Sequence, residues 1–276
     1  ADVGGTRNAS TSHDRTNYFE LVPAEYLETM LWTHRERMAF PVVDDHVFES
    51  ERGVVKEELR TRVLAPPYGI LQRFVVPEAG IDLLPQRRSV IGSITDLDSA
   101  TLDDARAFHQ AYYGPDTATL IVAGNFELET LRAMVDRLFA DIPRRAAPVD
   151  VTIAEREPGR TAPRRVAAHA PGVPLPVVGT LWQLPGAGHP DMPALEVLAA
   201  IMARGDSSRL HAALVETGKA VEVDMAIDTT QEISQFIQFA TVNSEDAMAE
   251  AERVLAAEVA ALRDAPVSAA ELAEAR

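Results

Sequence analysis

A proline-rich, charged stretch between residues 141 and 165 is the feature that most constrains the fold of this chain. The residues there that interrupt helices and strands are Pro143, Pro148, Pro158, Gly159 and Pro163. Strand-like and helix-like patterns alternate in a similar order on both sides of it. A length of 276 residues also corresponds to about two domains at roughly 150 residues each. We therefore expect domains at 1–145 and 165–276, joined by a linker at 146–164.

The first domain combines strand and helix patterns with clear capping residues. Turn residues dominate 64–95, where we expect loops around a short helix. The other expected elements are a strand at Asn8–Val22, a helix beginning at Pro23, a helix capped by Asp44 or Asp45 with Val47, Val54, Val55 and Leu59 inward, a helix capped by Thr101 and Asp104, a buried strand at Thr119–Ala123, and a helix at Glu127–Ala140.

The second domain repeats this mixture. We expect strands near 164–170, 175–184, 220–228 and 233–243, and helices near 191–203, 206–217 and 245–263. Ser268 and Glu271 form a capping box that begins one more helix. Because the strands come in consecutive pairs, they favour antiparallel pairing. The predicted fold class is α+β, with two similar domains, each a mainly antiparallel sheet with helices packed on one face.

Composition excludes several classes of function. The chain has no cysteine, which excludes disulfides, thiol nucleophiles and cysteine-ligated metals. Its net charge of −16 gives no basic footprint for nucleic acid, so we expect no nucleic-acid partner. The longest uncharged stretch, Ala170–Gly188, carries four prolines, so we expect no membrane span. A cysteine-free protein suits either the bacterial cytoplasm or the periplasm, and the compartment stays open.

The first residues carry neither the basic nor the apolar segment of a signal peptide, and residue 1 is not methionine. The last predicted helix is also cut off at Arg276. We expect the sequence to be an internal piece of a longer protein.

Glu51 and Glu58 are the most informative pair of titratable residues. They lie seven positions apart on one predicted helix, so both carboxylates share a face about 10.5 Å apart along the axis. A carboxylate near an apolar face needs a cation, a hydrogen-bond donor or a metal as its partner. By spacing alone, a solvated helix face is the favoured explanation of the pair.

Other catalytic signals are weak. None of the seven histidines has a second histidine four residues away, so the chain lacks an H-x-x-E-H or H-E-x-x-H helix. We interpret each histidine as a surface residue or a structural residue. The segment from Gly205 to Arg209 does not match G-x-S-x-G and indicates a helix start instead.

Several longer segments resemble one peptidase family. Gly5–Phe19, with Asn8, Ala9, Thr11, Thr16, Tyr18 and Phe19, resembles a strand of the pitrilysin/insulinase-type zinc metallopeptidases. Pro23–Met38 resembles the helix of that family that ends in Arg-Met. Phe48–Arg60 resembles its F-x-x-E-R-x-V-V-x-x-E-x-R helix, and Gly205–Leu214 resembles its G-x-S-S-R-L helix start. The matches occur in the family's order over nearly the whole chain.

The resemblance implies a zinc-dependent endopeptidase that hydrolyses peptides with a metal-activated water. By position, Glu58 corresponds to the distant glutamate ligand of zinc, and Glu51 to a second acidic residue that supports the catalytic site. Asn8 and Ala9 correspond to an edge strand on which substrate adds as an extra strand. The implied partners are a peptide or unfolded protein substrate and a second family half or subunit that closes a clamshell.

One part of the family pattern is missing. The H-x-x-E-H helix, with two histidine ligands and the general-base glutamate, should precede residue 1. Two interpretations follow: a piece of an active protease, or a non-catalytic peptide-binding or scaffold subunit of the same fold. We favour the first because both glutamates are retained. The Arg–Tyr pair of related partner halves corresponds to Val215 and Val221 here, which fits a catalytic half.

Overall fold

The structure is a computed structural model that describes residues 4–83, 86–144 and 155–275. Its contacts form two compact units. Unit 1 takes its described residues from 1–62 and 90–154, and unit 2 from 63–89 and 155–276.

The regular elements are distributed over both units. The strands are β1 Thr6–Thr11, β2 Thr16–Leu21, β3 Val177–Pro185, β4 Glu222–Asp228 and β5 Ile233–Thr241. The α-helices are α1 Leu27–Ala39, α2 Asp45–Leu59, α3 Val76–Gly80, α4 Ile94–Ser99, α5 Leu102–Tyr112, α6 Leu128–Phe139, α7 Met192–Ala203, α8 Met248–Asp264 and α9 Ala269–Ala275. Short 3-10 turns lie at Ala24–Tyr26 and Glu245–Ala247, and π-helical turns at Arg60–Leu64, Leu71–Val75 and His211–Val215.

The grouping of contacts differs from the predicted linear boundaries. Residues 63–89 belong to unit 2, whereas the sequence places them in the first domain. Polar contacts explain the difference: the Glu157 carboxylate accepts from the backbone N–H groups of Asp82 and Leu83 at 2.7 and 2.9 Å. Of the predicted linker at 146–164, residues 146–154 lie outside the described part of the chain.

Unit 1 contains a β-hairpin where the sequence predicts a single strand. β1 and β2 pair antiparallel, from Thr6 opposite Leu21 to Thr11 opposite Thr16. Ser12 donates its backbone N–H to the carbonyl of Arg15 at 2.9 Å, which closes the turn between the strands. The prediction of one continuous strand at Asn8–Val22 is therefore wrong. The residues that form the turn are polar, which favours a reversal of the chain.

The helices of unit 1 begin where their capping residues predict. Asp44 accepts from the Val47 N–H at 2.8 Å and caps α2. Thr101 and Asp104 form a reciprocal capping box at the start of α5. These side chains satisfy N–H groups that have no partner within the helix.

Unit 1 buries few of its apolar side chains. Leu31 and Leu59 are the only described apolar residues of this unit that are buried. The predicted buried strand at Thr119–Ala123 is wrong, because no strand forms there and Ile121 is 83% exposed. An apolar strand needs a neighbouring strand to satisfy its backbone, and the described residues offer none at this segment.

Unit 2 contains a three-stranded antiparallel sheet with the order β3-β5-β4. Helices α7 and α8 pack against this sheet. The central residues of the core are Met202, Leu210, Leu214, Ala240, Val242 and Leu255. The α+β class with antiparallel sheets is confirmed. The predicted strand at 164–170 is wrong, and the side chains of Arg164 and Arg165 instead bind Asp82 and Glu252.

Because the two units differ in burial, truncating a leucine to alanine should change the free energy of unfolding by different amounts in each. Leu214→Ala should lower the free energy of unfolding by about 2–5 kcal/mol, because it opens a cavity in a filled core. Leu21→Ala should lower it by less than about 0.5 kcal/mol, since that side chain is 73% exposed. Urea denaturation of the chain, followed by circular dichroism, measures both. Equal losses would contradict the difference in burial.

Candidate functional site

The outer edge of β1 is the first part of the candidate site. Asn8 and Ala9 are exposed and pair with Phe19 and Tyr18 of β2. The backbone N–H of Ala9 donates to Oδ1 of Asn8 at 2.8 Å and therefore points away from β2. Because the N–H and the carbonyl of one residue point to the same side of an antiparallel strand, the carbonyl of Ala9 faces the same free edge. Within the described residues, no strand pairs with this edge.

The two predicted carboxylates both lie on α2, as the spacing requires. Oε1 of Glu58 lies 2.7 Å from the Arg62 guanidinium, and the Glu58 side chain is 41% exposed. The Glu51 side chain is exposed and has no hydrogen-bond or ion-pair partner among the described residues. The helix buries Leu59, but the predicted inward residues Val47 and Val54 are exposed, because nothing in the described part of the chain covers that side of α2.

Helix α2 is held mainly against α4. Lys56 forms an ion pair with Asp98, and the Arg52 guanidinium donates to the carbonyl of Ala100 at 2.8 Å. No comparable packing joins α2 to β1 in the described residues. The approach of Glu51 and Glu58 to the strand with Asn8 and Ala9 therefore stays a prediction.

The described residues do not fit a complete zinc site. No group of three histidine, cysteine, aspartate or glutamate side chains could hold a metal ion within residues 4–83, 86–144 and 155–275. Hydrolytic zinc needs three protein ligands and one open position. Glu58 alone supplies at most one carboxylate, so no hydrolytic step can be assigned to this chain by itself.

A polar cluster in unit 1 was not among the predicted site residues. Glu20, on β2, has a side chain that is only 8% exposed, and Arg37 on α1 approaches it at 3.4 Å. His34 Nε2 lies 2.6 Å from the other oxygen of Glu20, as a close contact rather than a well-aligned hydrogen bond. The useful sequence signals are the two-residue spacing of Tyr18 and Glu20 on a strand and the three-residue spacing of His34 and Arg37 on a helix.

The cluster continues to the end of α5. The hydroxyls of Tyr18 and Tyr113 share a hydrogen bond, and His109 stacks on Tyr113 with ring centroids 4.7 Å apart. Burial, and after it the hydrogen bond with Tyr18, raises the pKa of Tyr113 above its ordinary value. Here His34 and His109 are structural residues.

Comparisons with known proteins agree with this architecture. Residues 99–276 match the family model for the peptidase M16 inactive domain. The zinc protease PqqE of Helicobacter pylori is 30% identical over 213 residues, which are 77% of this chain and 48% of that protein. The crystal structure of a protease from Helicobacter pylori has a TM-score of 0.91 at 28% identity and covers 99% of this chain and 66% of that chain.

A more distant solved structure extends the likeness in fold. The crystal structure of pitrilysin has a TM-score of 0.69 at 19% identity, over 97% of this chain and 29% of that chain. Together, the matches define an α+β peptidase fold. The chain belongs to the peptidase M16 family. The resemblance to the pitrilysin/insulinase-type metallopeptidases is therefore confirmed, and the chain spans about half the length of the curated relatives it matches.

Across the described residues, no helix combines the length and the apolar character that crossing a membrane requires.

The incomplete donor set predicts weak metal binding. We expect the isolated chain to bind no stoichiometric zinc and to cleave no peptide, because one carboxylate cannot replace three ligands. Equilibrium dialysis with metal analysis and hydrolysis of a fluorogenic peptide measure the two properties. One tightly bound zinc per chain with turnover would show that the ligands lie elsewhere, for example at His13 or His46.

Proposed function

We propose that this chain is part of a zinc-dependent endopeptidase of the M16 family, and that its β1 edge binds the peptide substrate. The free edge at Ala9 is the observation that carries the proposal. Relatives that are named zinc proteases support the peptidase class. The substrate would be a peptide or an unfolded protein, because only an extended backbone can pair along a strand.

Binding at this edge uses backbone groups. The Ala9 N–H already has an acceptor, the Asn8 carboxamide, and a substrate carbonyl would take its place. The Ala9 carbonyl would in turn accept from a substrate N–H. Because the contacts are to main-chain atoms, affinity would depend little on the substrate's side chains.

Glu58 is the residue we propose as a zinc ligand in the complete protein. Its present ion pair with Arg62 is exposed on both sides, with 41% and 77% of the side chains accessible, so exchanging it for a metal costs little. We assign Glu51, two helical turns earlier, to a supporting role beside the site. When bound, zinc would supply Lewis acidity, while the remaining ligands and the general base would come from outside this chain.

A second half or subunit is the partner we propose. Unit 1 leaves Phe19, Trp32 and Phe108 about half exposed, and Ile121 almost fully exposed. Apolar surface of this kind favours burial against further polypeptide. This polypeptide would come from the same protein or from a partner half that closes a clamshell around the substrate.

A non-catalytic function is the second candidate. Residues 99–276 match the domain described as inactive, which favours a peptide-binding or scaffold role for that part of the chain. The two candidates share the β1 edge and differ in whether Glu58 binds metal.

If peptide binds at the β1 edge, removing the backbone N–H of residue 9 should weaken peptide binding. In the full-length gene product, Ala9→Pro should weaken peptide binding by about fivefold or more, because proline has no N–H to donate. The β1–β2 ladder should persist, since this N–H does not face β2. Ala9→Val is the matched control, because it keeps the donor. Fluorescence anisotropy with a labelled peptide measures the affinities, and equal weakening in both variants would contradict edge binding.

The proposed ligand predicts a change in metal content. In the full-length gene product, Glu58→Gln should lower zinc content, because a neutral amide is a poorer ligand than a carboxylate. Glu57→Gln is the matched control, since Glu57 is exposed and pairs only with Arg60. Glu51→Gln should lower activity more than zinc content. Metal analysis after dialysis measures the result. Full zinc occupancy with Glu58→Gln would show that Glu58 is not a ligand, whereas absence of zinc from the unaltered full-length gene product would favour the non-catalytic candidate.

A further inference from the structure

Strand β1 makes few contacts with unit 1 apart from those with β2. All six of its residues are exposed, and its main contact in the described part of the chain is the ladder with β2. The position of the β1 edge therefore depends on how firmly β2 is attached to the rest of unit 1.

Two side chains attach β2. Tyr18 and Glu20 are its only half-buried residues, and they project from the same face. In the ladder, Tyr18 lies opposite Ala9 and Glu20 lies opposite Arg7. The two attachment points thus flank Asn8, next to the backbone groups of the free edge.

Arg37 connects both attachment points to α1. Its guanidinium lies 3.4 Å from Glu20, 3.0 Å from Nδ1 of His34 and 4.4 Å from the centre of the Tyr18 ring. Because arginine can only donate, Nδ1 of His34 accepts, and the ring proton lies on Nε2, facing Glu20. One cation thus serves a buried carboxylate, an imidazole and an aromatic ring.

The same residue connects to α5 through its backbone. The carbonyl of Arg37 lies 3.1 Å from Nε2 of His109, which stacks on Tyr113, and Tyr113 shares a hydrogen bond with Tyr18. The contacts therefore close a loop from β2 through α1 and α5 back to β2.

We propose that these residues form a polar clamp that positions the β1 edge for its extended ligand. The clamp consists of Tyr18, Glu20, His34, Arg37, His109 and Tyr113. They are positioning residues, because each acts on the edge through β2 and none contacts a strand bound at Ala9. The inference rests on the proposed function only for the identity of that ligand.

The carboxylate of Glu20 is nearly buried. A charged group with so little exposure is stable only with its partners, and weakening one of them loosens the whole strand. Unit 1 has few buried apolar residues to compensate, so the clamp supplies much of the attachment of β2.

The clamp can be tested on the isolated chain by hydrogen exchange. Glu20→Gln and Tyr18→Phe should accelerate exchange of the Asn8 and Ser10 amides about tenfold or more. The first substitution weakens the contact with Arg37, and the second removes the hydrogen bond with Tyr113. Exchange in β3 and β5 of unit 2 should not change. Glu36→Gln and Tyr112→Phe are the controls, since Glu36 pairs with Arg35 and Tyr112 has no part in the clamp.

The full-length gene product provides the second measurement. Tyr18→Phe should raise KM for a peptide about fivefold, as edge binding weakens, and leave kcat and zinc content unchanged. If Glu20→Gln does not fold, Tyr18→Phe carries the test alone, because it keeps the ring beneath Arg37.

The outcomes separate the clamp from the proposed function. Faster exchange at Asn8 and Ser10 in the isolated chain, together with a full-length gene product that cleaves no peptide, would support the clamp and overturn the peptidase. Unchanged exchange in both variants would overturn the clamp whatever the activity. A parallel fall in kcat and zinc content would mark a general loss of stability and would also overturn positioning.

Discussion

The antiparallel ladder between β1 and β2 satisfies the hydrogen-bonding groups on one side of β1, and among the described residues no strand pairs with the other side. The proposed binding of a peptide and its positioning by the clamp both depend on this one-sided pairing. A strand in the middle of a sheet offers no backbone groups to a ligand, whereas an edge strand offers a repeating series of donors and acceptors. Helices α1 and α5 of unit 1 hold β2 in place, and β2 in turn holds β1.

The two units are stabilised in different ways. In unit 2, apolar side chains from the sheet, from α7 and from α8 fill a common core. In unit 1, polar and ionic contacts replace much of that burial, and Arg37 joins Glu20, His34 and Tyr18. Hydrophobic burial is non-directional, but hydrogen bonds and ion pairs fix orientation. Hydrogen bonds and ion pairs therefore suit a unit that must hold a strand edge in a fixed orientation for a ligand.

Local signals in the sequence predicted local structure well. Asp44, Thr101 with Asp104, and Ser268 with Glu271 cap helices as expected, because a cap depends on residues within one turn. The strand predicted at Thr119–Ala123 failed, because strand formation depends on a neighbour that the local pattern does not specify. The clamp was missed for a similar reason: Glu20, Arg37 and Tyr113 are far apart in the sequence and meet only after folding. Family resemblance supplied Asn8, Ala9, Glu51 and Glu58, which composition and spacing alone left open.

The hydrogen bond within β1 has a consequence for solubility. An unpaired strand edge can recruit the same edge of another copy, and Phe19, which lies opposite Asn8, would add apolar contact to such a pair. The Asn8 carboxamide covers the Ala9 donor with a group that is tethered one residue away. A copy that contacts the edge briefly gains little free energy by displacing the carboxamide. A ligand held in an extended form displaces it and also forms further backbone hydrogen bonds along the strand. The Asn8 carboxamide thus disfavours brief pairing between two copies of the β1 edge more than it disfavours binding of an extended ligand.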